Sequence, residues 1–138
     1  MIEQLIEFVT NNLFLVGAWV IVLVGFLLNE KRRAGKSLSP TQAVIRMNRE
    51  NALVVDVREP KDYKTGHVSG ALNWPLTKLD EFVSEVPKYS ERPILVVCKV
   101  GSSAGAAVKK LSAAGHPDVS RIAGGMIDWT ANNLPVKK

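Results

Sequence analysis

The sequence of 138 residues contains one cysteine, Cys98, and two histidines, His67 and His116. A single cysteine cannot form a disulfide within the chain, which is typical of a reducing compartment. There is no CxxC motif for thiol–disulfide exchange, and the Cys and His residues are too few and too separated for a metal site. The composition therefore predicts neither a metal nor another cofactor. It leaves one thiol, available for chemistry or for burial in the core.

Lys and Arg are missing from the first 29 residues, which carry only Glu3 and Glu7, although the net charge of the chain is +5. Residues 13–28 (LFLVGAWVIVLVGFLL) contain no charged side chain at all. Extended back to Phe8, this apolar run would measure about 31 Å as a helix, close to the ~30 Å hydrocarbon core of a bilayer. We therefore expect residues 1–30 to form an N-terminal segment with a single transmembrane helix over about residues 8–28.

Basic residues follow the apolar run directly, in the order Lys31, Arg32, Arg33 and Lys36. A cleavable signal peptide would carry such residues before its apolar core, so this charge order argues against cleavage. The positive-inside rule places the chain after the basic residues in the cytoplasm and the N-terminus outside. The sequence thus predicts a basic juxtamembrane tether over residues 31–39 and a cytoplasmic domain over residues 40–138.

Predicted strands and helices alternate within this domain. Strands are expected at 52–58, near 71–73, at 93–98 and at 119–125, and helices at 40–49, 77–89, 102–114 and 126–133. Ser39 and Pro40 are typical of an N-cap and a first helical residue. The alternation predicts an α/β fold with a parallel sheet and helices on both faces. In such sheets, functional sites form at the carboxyl ends of strands, where Cys98, Asp56 and Arg58 lie.

Cys98 ends a predicted strand, and a loop of small residues leads from it into a helix. The backbone N–H groups of such a loop and the helix dipole favour an anion, and hence the thiolate. Gly101 permits tight curvature, while Ser102 and Ser103 add hydroxyl donors, with Ser102 as the expected helix cap. The sixth residue after Cys98 is Ala104, where a phosphatase loop requires an arginine. The pattern therefore indicates a nucleophilic thiol outside the usual phosphatase chemistry.

Three motifs resemble those of the rhodanese family, in the family's order and across about residues 37–136. They are LVVDVREPKDYKTGHVSGALNWP (53–75), VVCKVGSSA (96–104) and AGGMIDW (123–129). The whole chain is similar to single-domain rhodaneses that one N-terminal helix anchors to the bacterial inner membrane. The resemblance implies a rhodanese-like parallel sheet flanked by helices, preceded by that single transmembrane helix.

The resemblance also implies sulfurtransferase activity. The Cys98 thiolate would take a sulfane sulfur from thiosulfate or a persulfide donor, carry it as a persulfide and pass it to a thiol acceptor. The implied persulfide-binding residues are those of the loop: Lys99, Val100, Gly101, Ser102 and Ser103. Together with Cys98 they form the six-residue ring of the sulfur-handling members. Many thiosulfate-using members carry a cation at the third or sixth loop position, where this chain has Val100 and Ser103.

Three other residues are expected to support the loop. Asp56 and Arg58 are predicted to form a charged hydrogen-bond network beside it, and His67 is assigned to the scaffold. His116 is expected at the surface. Two rival hypotheses stay open: a membrane adaptor that binds other inner-membrane proteins, such as the insertion or translocation machinery, and a membrane persulfide sensor. The modest positive charge without interleaved aromatics predicts no nucleic-acid partner.

Overall fold

The computed structural model describes residues 1–33 and 36–138, which divide into two compact units, Met1–Arg32 and Arg33–Lys138. The α-helices are α1 (Ile2–Asn11), α2 (Leu13–Arg33), α3 (Pro40–Glu50), α4 (Pro60–Thr65), α5 (Leu79–Phe82), α6 (Ala104–Ala113) and α7 (Gly125–Ala131). The strands are β1 (Lys36–Leu38), β2 (Leu53–Asp56), β3 (His67–Val68), β4 (Leu72–Asn73), β5 (Ile94–Val97), β6 (Val119–Ile122) and β7 (Val136–Lys137).

The predicted single helix over residues 8–28 is instead two helices, because the chain leaves the helical conformation at Asn12 (φ −127°). Polar side chains compete for the backbone carbonyls just before this break: Thr10 Oγ1 donates to Ile6 O at 2.9 Å, and Asn12 Nδ2 donates to Phe8 O at 2.9 Å. Within the described residues, neither helix alone has the length and apolar composition to cross a bilayer. Only α1 and Leu13–Asn29 taken together are long and apolar enough, and the two are bent by 92° relative to each other.

The predicted tether of residues 31–39 also differs from the structure. Its residues 34 and 35 lie outside the described residues, but Lys36–Leu38 form β1, which pairs in parallel with β6. This pairing depends on a strand more than 80 positions further along the chain, so the local sequence gives no sign of it. Ser39 then caps α3 as predicted. Its hydroxyl accepts from Gln42 N at 3.2 Å, and the Gln42 side chain accepts from Ser39 N at 3.0 Å.

The predicted parallel α/β sheet is confirmed. Five parallel strands have the order β1-β6-β5-β2-β4, and β3 and β7 form a separate antiparallel pair. One hydrophobic core lies between the sheet and the side of α5 and α6, and includes Val96, Cys98 and Leu111. The other lies on the side of α3 and α7, and includes Val97 and Trp129. Successive side chains along a strand point alternately into the two cores, as the pleat of a strand buried on both faces requires.

Two predictions for the part of this domain outside the Cys98 loop are wrong in detail. The helix expected over residues 77–89 is only the short α5, continued by 3-10 turns at Leu76–Lys78 and Val83–Tyr89, because Pro87 falls within its second half. His116 is 5% exposed rather than on the surface. Its Nε2 lies 2.9 Å from Tyr89 O, and its Nδ1 lies 3.1 Å from Asp118 N.

An ion pair joins α3 to the start of β6. The Arg46 guanidinium donates to both carboxylate oxygens of Asp118, with 3.3 Å between Nη1 and Oδ1. This hydrogen bond to Arg46 holds the pKa of the Asp118 carboxyl below its ordinary value. The pair therefore contributes to stability above that ordinary pKa, and its contribution is lost as the pH falls through the lowered one.

Leu111 tests the packing of α6 against the sheet. Its side chain is fully buried, and Leu111→Ala should lower the free energy of unfolding by about 2–5 kcal/mol through lost burial and a residual cavity. Lys109→Ala, at an exposed position of the same helix, should change it by less than about 0.5 kcal/mol. Urea unfolding of the full-length chain in detergent, followed by tryptophan fluorescence, measures both. Equal losses in the two variants would contradict the described packing.

Candidate active site around Cys98

Cys98 directly follows β5, at the carboxyl end of the central part of the sheet. Only 3% of the residue is exposed. Its Sγ accepts a hydrogen bond from the backbone N–H of Gly101 at 2.9 Å. Gly101 adopts φ +94°, a conformation that glycine reaches without strain and that turns its N–H back toward the sulfur. The loop thus folds around the only thiol of the chain.

The other loop residues present their side chains outward. Lys99, Val100, Ser102 and Ser103 are exposed, whereas Gly101 is buried. The following helix, α6, begins at Ala104, and its N-cap residue is Ser103, whose side chain makes no capping hydrogen bond. The sequence-based assignment of Ser102 as the cap is therefore wrong. The helix starts two residues later than expected because the turn around Cys98 extends through Ser103.

The first turn of α7 holds the loop from the opposite face of the sheet. Met126 N donates to Cys98 O at 2.7 Å, and Ile127 N donates to Lys99 O at 3.1 Å. Both peptide bonds that follow these carbonyls are trans, so the N–H groups of Lys99 and Val100 point away from α7. This direction leads to the side of the sheet on which the Cys98 side chain packs. Contact with α7 therefore fixes the orientation of the peptide groups on either side of Lys99, next to the Gly101 N–H that donates to Cys98 Sγ.

Two consecutive glycines make this contact close enough. Gly124 and Gly125 both have positive φ, 72° and 59°. A Cβ at Gly125 would overlap the carbonyl group of Cys98 and that of Lys99, and a Cβ at Gly101 would lie 3.1 Å from Gly124 N. The two glycines of the AGGMIDW motif are thus required sterically as well as by backbone conformation.

The predicted network of Asp56 and Arg58 lies at the end of the neighbouring strand β2. Asp56 is fully buried, and the Arg58 guanidinium donates to both of its carboxylate oxygens, with 3.0 Å from Nε to Oδ1 and 2.7 Å from Nη2 to Oδ2. Arg58 Nη2 also donates to Gly66 O at 2.7 Å. Asn73 Nδ2 donates to the carbonyls of Asp56 and Arg58. The Asp56 carboxylate and the Arg58 guanidinium therefore meet each other's charge and hydrogen-bonding needs within the scaffold.

His67 is held away from Cys98 by contacts of its own. Its ring stacks on Tyr63 with 3.8 Å between the ring centroids and 8° between the planes. Its Nδ1 lies 2.9 Å from Tyr63 O. Tyr63 in turn donates through its hydroxyl to Ala71 O at 2.6 Å. These contacts fix the turn between α4 and β4, and they link His67 to the scaffold rather than to the thiol.

A cleft of about 280 Å³ lies beside the loop on the α7 side of the sheet. Its lining comprises Arg58, Thr65, Gly66, Lys99, Met126, Ile127, Thr130 and Val136. The Cys98 side chain packs in the core on the other side, with α6, and Cys98 is not among the residues that line this cleft. Among the residues that the structure describes, no three His, Cys, Asp or Glu side chains are grouped to hold a metal ion.

Arg121, on β6, is a site residue that the sequence analysis does not single out. Its Nη1 lies 3.4 Å from Gly101 O, which brings a guanidinium to the loop. The sequence feature that could have pointed to Arg121 is that it is the one charged residue within the otherwise buried strand VSRI (119–122).

Gly125 tests the contact between the loop and α7. Gly125→Ala should lower the free energy of unfolding by about 1–2 kcal/mol through its positive φ, and by a further ~1–3 kcal/mol through overlap with the Cys98 and Lys99 carbonyls. Gly115→Ala is the matched control, because Gly115 has φ +100° but open space around its Cβ position. Chemical unfolding of both variants measures the difference. If Gly115→Ala is as destabilising as Gly125→Ala, the steric account is wrong.

The sequence is similar to those of known proteins. The family model of the rhodanese-like domain matches residues 39–132. The YibN protein of Escherichia coli (strain K12) is 28% identical over 138 aligned residues, covering 97% of this chain and 96% of that protein. The thiosulfate sulfurtransferase GlpE of Pseudomonas putida (strain F1) is 33% identical over 96 residues, covering 70% of this chain and 86% of that protein.

A solved structure extends the similarity to the fold. The rhodanese-related protein from Thermoplasma volcanium superposes with a TM-score of 0.66 at 26% identity, covering 74% of this chain and 97% of that one. The family match includes the strand end at Asp56, the Cys98 loop and the glycines that open α7. The chain belongs to the rhodanese-like family.

Proposed function

We propose that this protein is a sulfurtransferase that carries sulfane sulfur as a persulfide on Cys98. The observation that carries the proposal is the hydrogen bond from Gly101 N–H to Cys98 Sγ, within a loop whose carbonyls at Cys98 and Lys99 are held by α7. Amide donors aimed at a sulfur favour its anionic form, which is the nucleophile in sulfur transfer. Similarity to a protein named thiosulfate sulfurtransferase supports the same chemistry.

The proposed reaction has two displacement steps. In the first, the Cys98 thiolate attacks the terminal sulfur of a donor such as thiosulfate or a persulfide. A new S–S bond forms on Cys98, the S–S bond of the donor breaks, and the donor leaves with the electron pair as sulfite or a thiolate. In the second, a thiolate acceptor attacks the outer sulfur of the persulfide and restores the Cys98 thiolate. Both steps transfer neutral sulfur, so neither needs an external oxidant or reductant.

The burial of Cys98 restricts the donor. Because the residue is only 3% exposed, the reacting sulfur must reach it at the end of a narrow group. A terminal sulfane sulfur, which projects beyond the rest of the donor, meets this requirement. The exposed side chains of Lys99 and Val100 are then placed to contact the body of the donor or acceptor.

The carrier step can be tested by intact-mass analysis. The full-length chain in detergent, exposed to thiosulfate or to glutathione persulfide, should gain the mass of one sulfur atom, and cyanide or a reductant should remove it. Cys98→Ser should gain nothing, and Ser112→Ala, at an exposed position of α6 outside the loop, should gain the same mass as the wild type. A folded wild-type protein that takes up sulfur from neither donor would refute the carrier proposal. It would favour the adaptor hypothesis, which does not need the thiol.

We further propose that α1 and α2 anchor the protein to the bacterial inner membrane, with the N-terminus outside and the rhodanese-like domain in the cytoplasm. The side chains of residues 13–28 are almost all exposed and apolar, which lipid would bury. The basic residues after them, Lys31 to Lys36 in the sequence, support the orientation. The domain would then meet its donor and acceptor at the membrane surface.

The bend at Asn12 gives the two helices different parts in this anchor. In α1, Ile2, Leu5, Ile6 and Val9 lie on one side, at helical spacing, and the opposite side carries Glu3, Gln4 and Glu7. Such a helix suits the membrane interface, with its apolar face in the lipid and its acidic face in water. The apolar part of α2, at 92° to it, then enters the bilayer.

Membrane anchoring is tested by alkaline carbonate extraction of bacterial membranes. The wild-type chain should stay in the membrane fraction, and external protease should leave its C-terminal domain intact in spheroplasts. The double variant Ile21→Lys and Val22→Lys should move to the soluble fraction, because each lysine costs roughly 3 kcal/mol at the centre of a span. Ile45→Lys, at an exposed position of the domain, is the matched control. A wild-type chain that carbonate extracts would contradict the anchor.

A further inference from the structure

Arg121 and Cys98 lie on the same side of the sheet. Arg121 stands opposite Val96 in the register between β6 and β5. Val96, Cys98 and Val119 all belong to the core on the α6 side, and side chains alternate along a strand, so Arg121 points to that side as well. It is therefore on the face that carries the sulfur, opposite to the face that α7 covers.

The Arg121 guanidinium is only partly satisfied. Nη1 donates to Gly101 O over a long distance of 3.4 Å, and Nε is buried without a hydrogen-bond partner. Among the residues that the structure describes, no carboxylate lies within ion-pair distance of Arg121. Gly101, which Arg121 contacts through its carbonyl, is the residue whose N–H donates to Cys98 Sγ. One loop residue therefore separates this positive charge from the sulfur.

The surroundings of Arg121 are electrostatically suited to an anion. Gly101 lies three residues before α6 begins, so the guanidinium is near the positive end of that helix. The Arg121 guanidinium and the positive end of α6 repel each other in this partly buried place, and a negative group close to both would offset that repulsion. The other charged groups near the loop are the Asp56 and Arg58 pair at the end of β2, Lys99 in the loop and Asp128 from α7. The first turn of α6 carries no charge.

We propose that Arg121 is a positioning residue that stabilises the anionic form of Cys98, both as the thiolate and as the persulfide. It acts through its positive charge, with Gly101 between it and the sulfur. The thiolate part of this proposal concerns Cys98 alone, and the persulfide part rests on the proposed sulfur transfer. Arg121 thus supplies the loop with a cation from a neighbouring strand.

The test is the pH dependence of Cys98 alkylation by iodoacetamide in the full-length chain, which reports one site because the chain has one cysteine. Arg121→Met and Arg121→Gln both remove the charge, and the glutamine keeps a donor for Gly101 O. Both should raise the midpoint of the rate–pH profile by about 0.5–1 pH unit and lower the rate at pH 7 by roughly 3–10-fold. Arg121→Lys, which keeps the charge, should leave the midpoint within about 0.3 unit of the wild type.

Arg92→Met is the matched control, since Arg92 contacts Asn51 O and precedes β5 at its amino end, away from the loop. It should leave the midpoint unchanged. Thermal unfolding of each variant separates a loss of fold from a loss of charge. If either Arg121→Met or Arg121→Gln does not fold, the other neutral variant still gives the test. A wild-type midpoint in a folded Arg121→Met or Arg121→Gln variant would overturn the proposal, and so would an Arg121→Lys midpoint that moves with theirs.

The two proposals fail in different ways. If the alkylation midpoint shifts as expected but no donor adds sulfur to the wild-type chain, Arg121 stabilises the thiolate and the sulfur-carrier function is wrong. If sulfur is added but the midpoint does not move, the carrier function stands and the role of Arg121 is wrong.

Discussion

The first turn of α7 has backbone N–H groups that its own helix cannot satisfy, and the carbonyls of Cys98 and Lys99 accept two of them. The same two hydrogen bonds satisfy the helix and orient the loop, because each accepted carbonyl fixes the plane of its own peptide group. A side chain at Gly125 would occupy the space of this contact. The glycine pair before α7 and the cysteine loop therefore form one structural unit, although they are more than 20 residues apart in the sequence.

The neighbouring strand end is stabilised in a different way, by a buried ion pair whose hydrogen bonds close on each other. Removing one partner of such a pair costs about 3–5 kcal/mol, because it leaves the other charge buried alone. Arg58 also ties β2 to the turn at Gly66, and Asn73 ties β4 to the same strand end. With its donors engaged in this way, Arg58 holds the end of β2 and the turn at Gly66 together. Arg121, whose Nε has no partner, differs from it in this respect.

The elements that sequence predicted well are those set by local patterns: the capped start of α3, the valine-rich strands β2 and β5, and the placement of Asp56 and Cys98 at strand ends. The misses depend on distant partners or on competing side chains. The β1 strand needs β6, the burial of His116 needs Tyr89, and the bend at Asn12 arises where side chains take carbonyls from the helix. Arg121 was missed because its role depends on its contact with Gly101, which lies in the loop after β5.

The charges around the loop also bear on which group it can hold. A phosphoryl group carries two charges on several oxygens, and its recognition calls for a guanidinium fork that reaches those oxygens directly. Here the sixth residue after Cys98 is Ala104, and the nearest guanidinium contacts the loop carbonyl instead. A persulfide is smaller and carries one negative charge on its terminal sulfur. The Gly101 N–H at the sulfur, with one cation behind Gly101, suits that single charge, whereas no guanidinium is placed to clamp the oxygens of a phosphoryl group from the sixth position after Cys98.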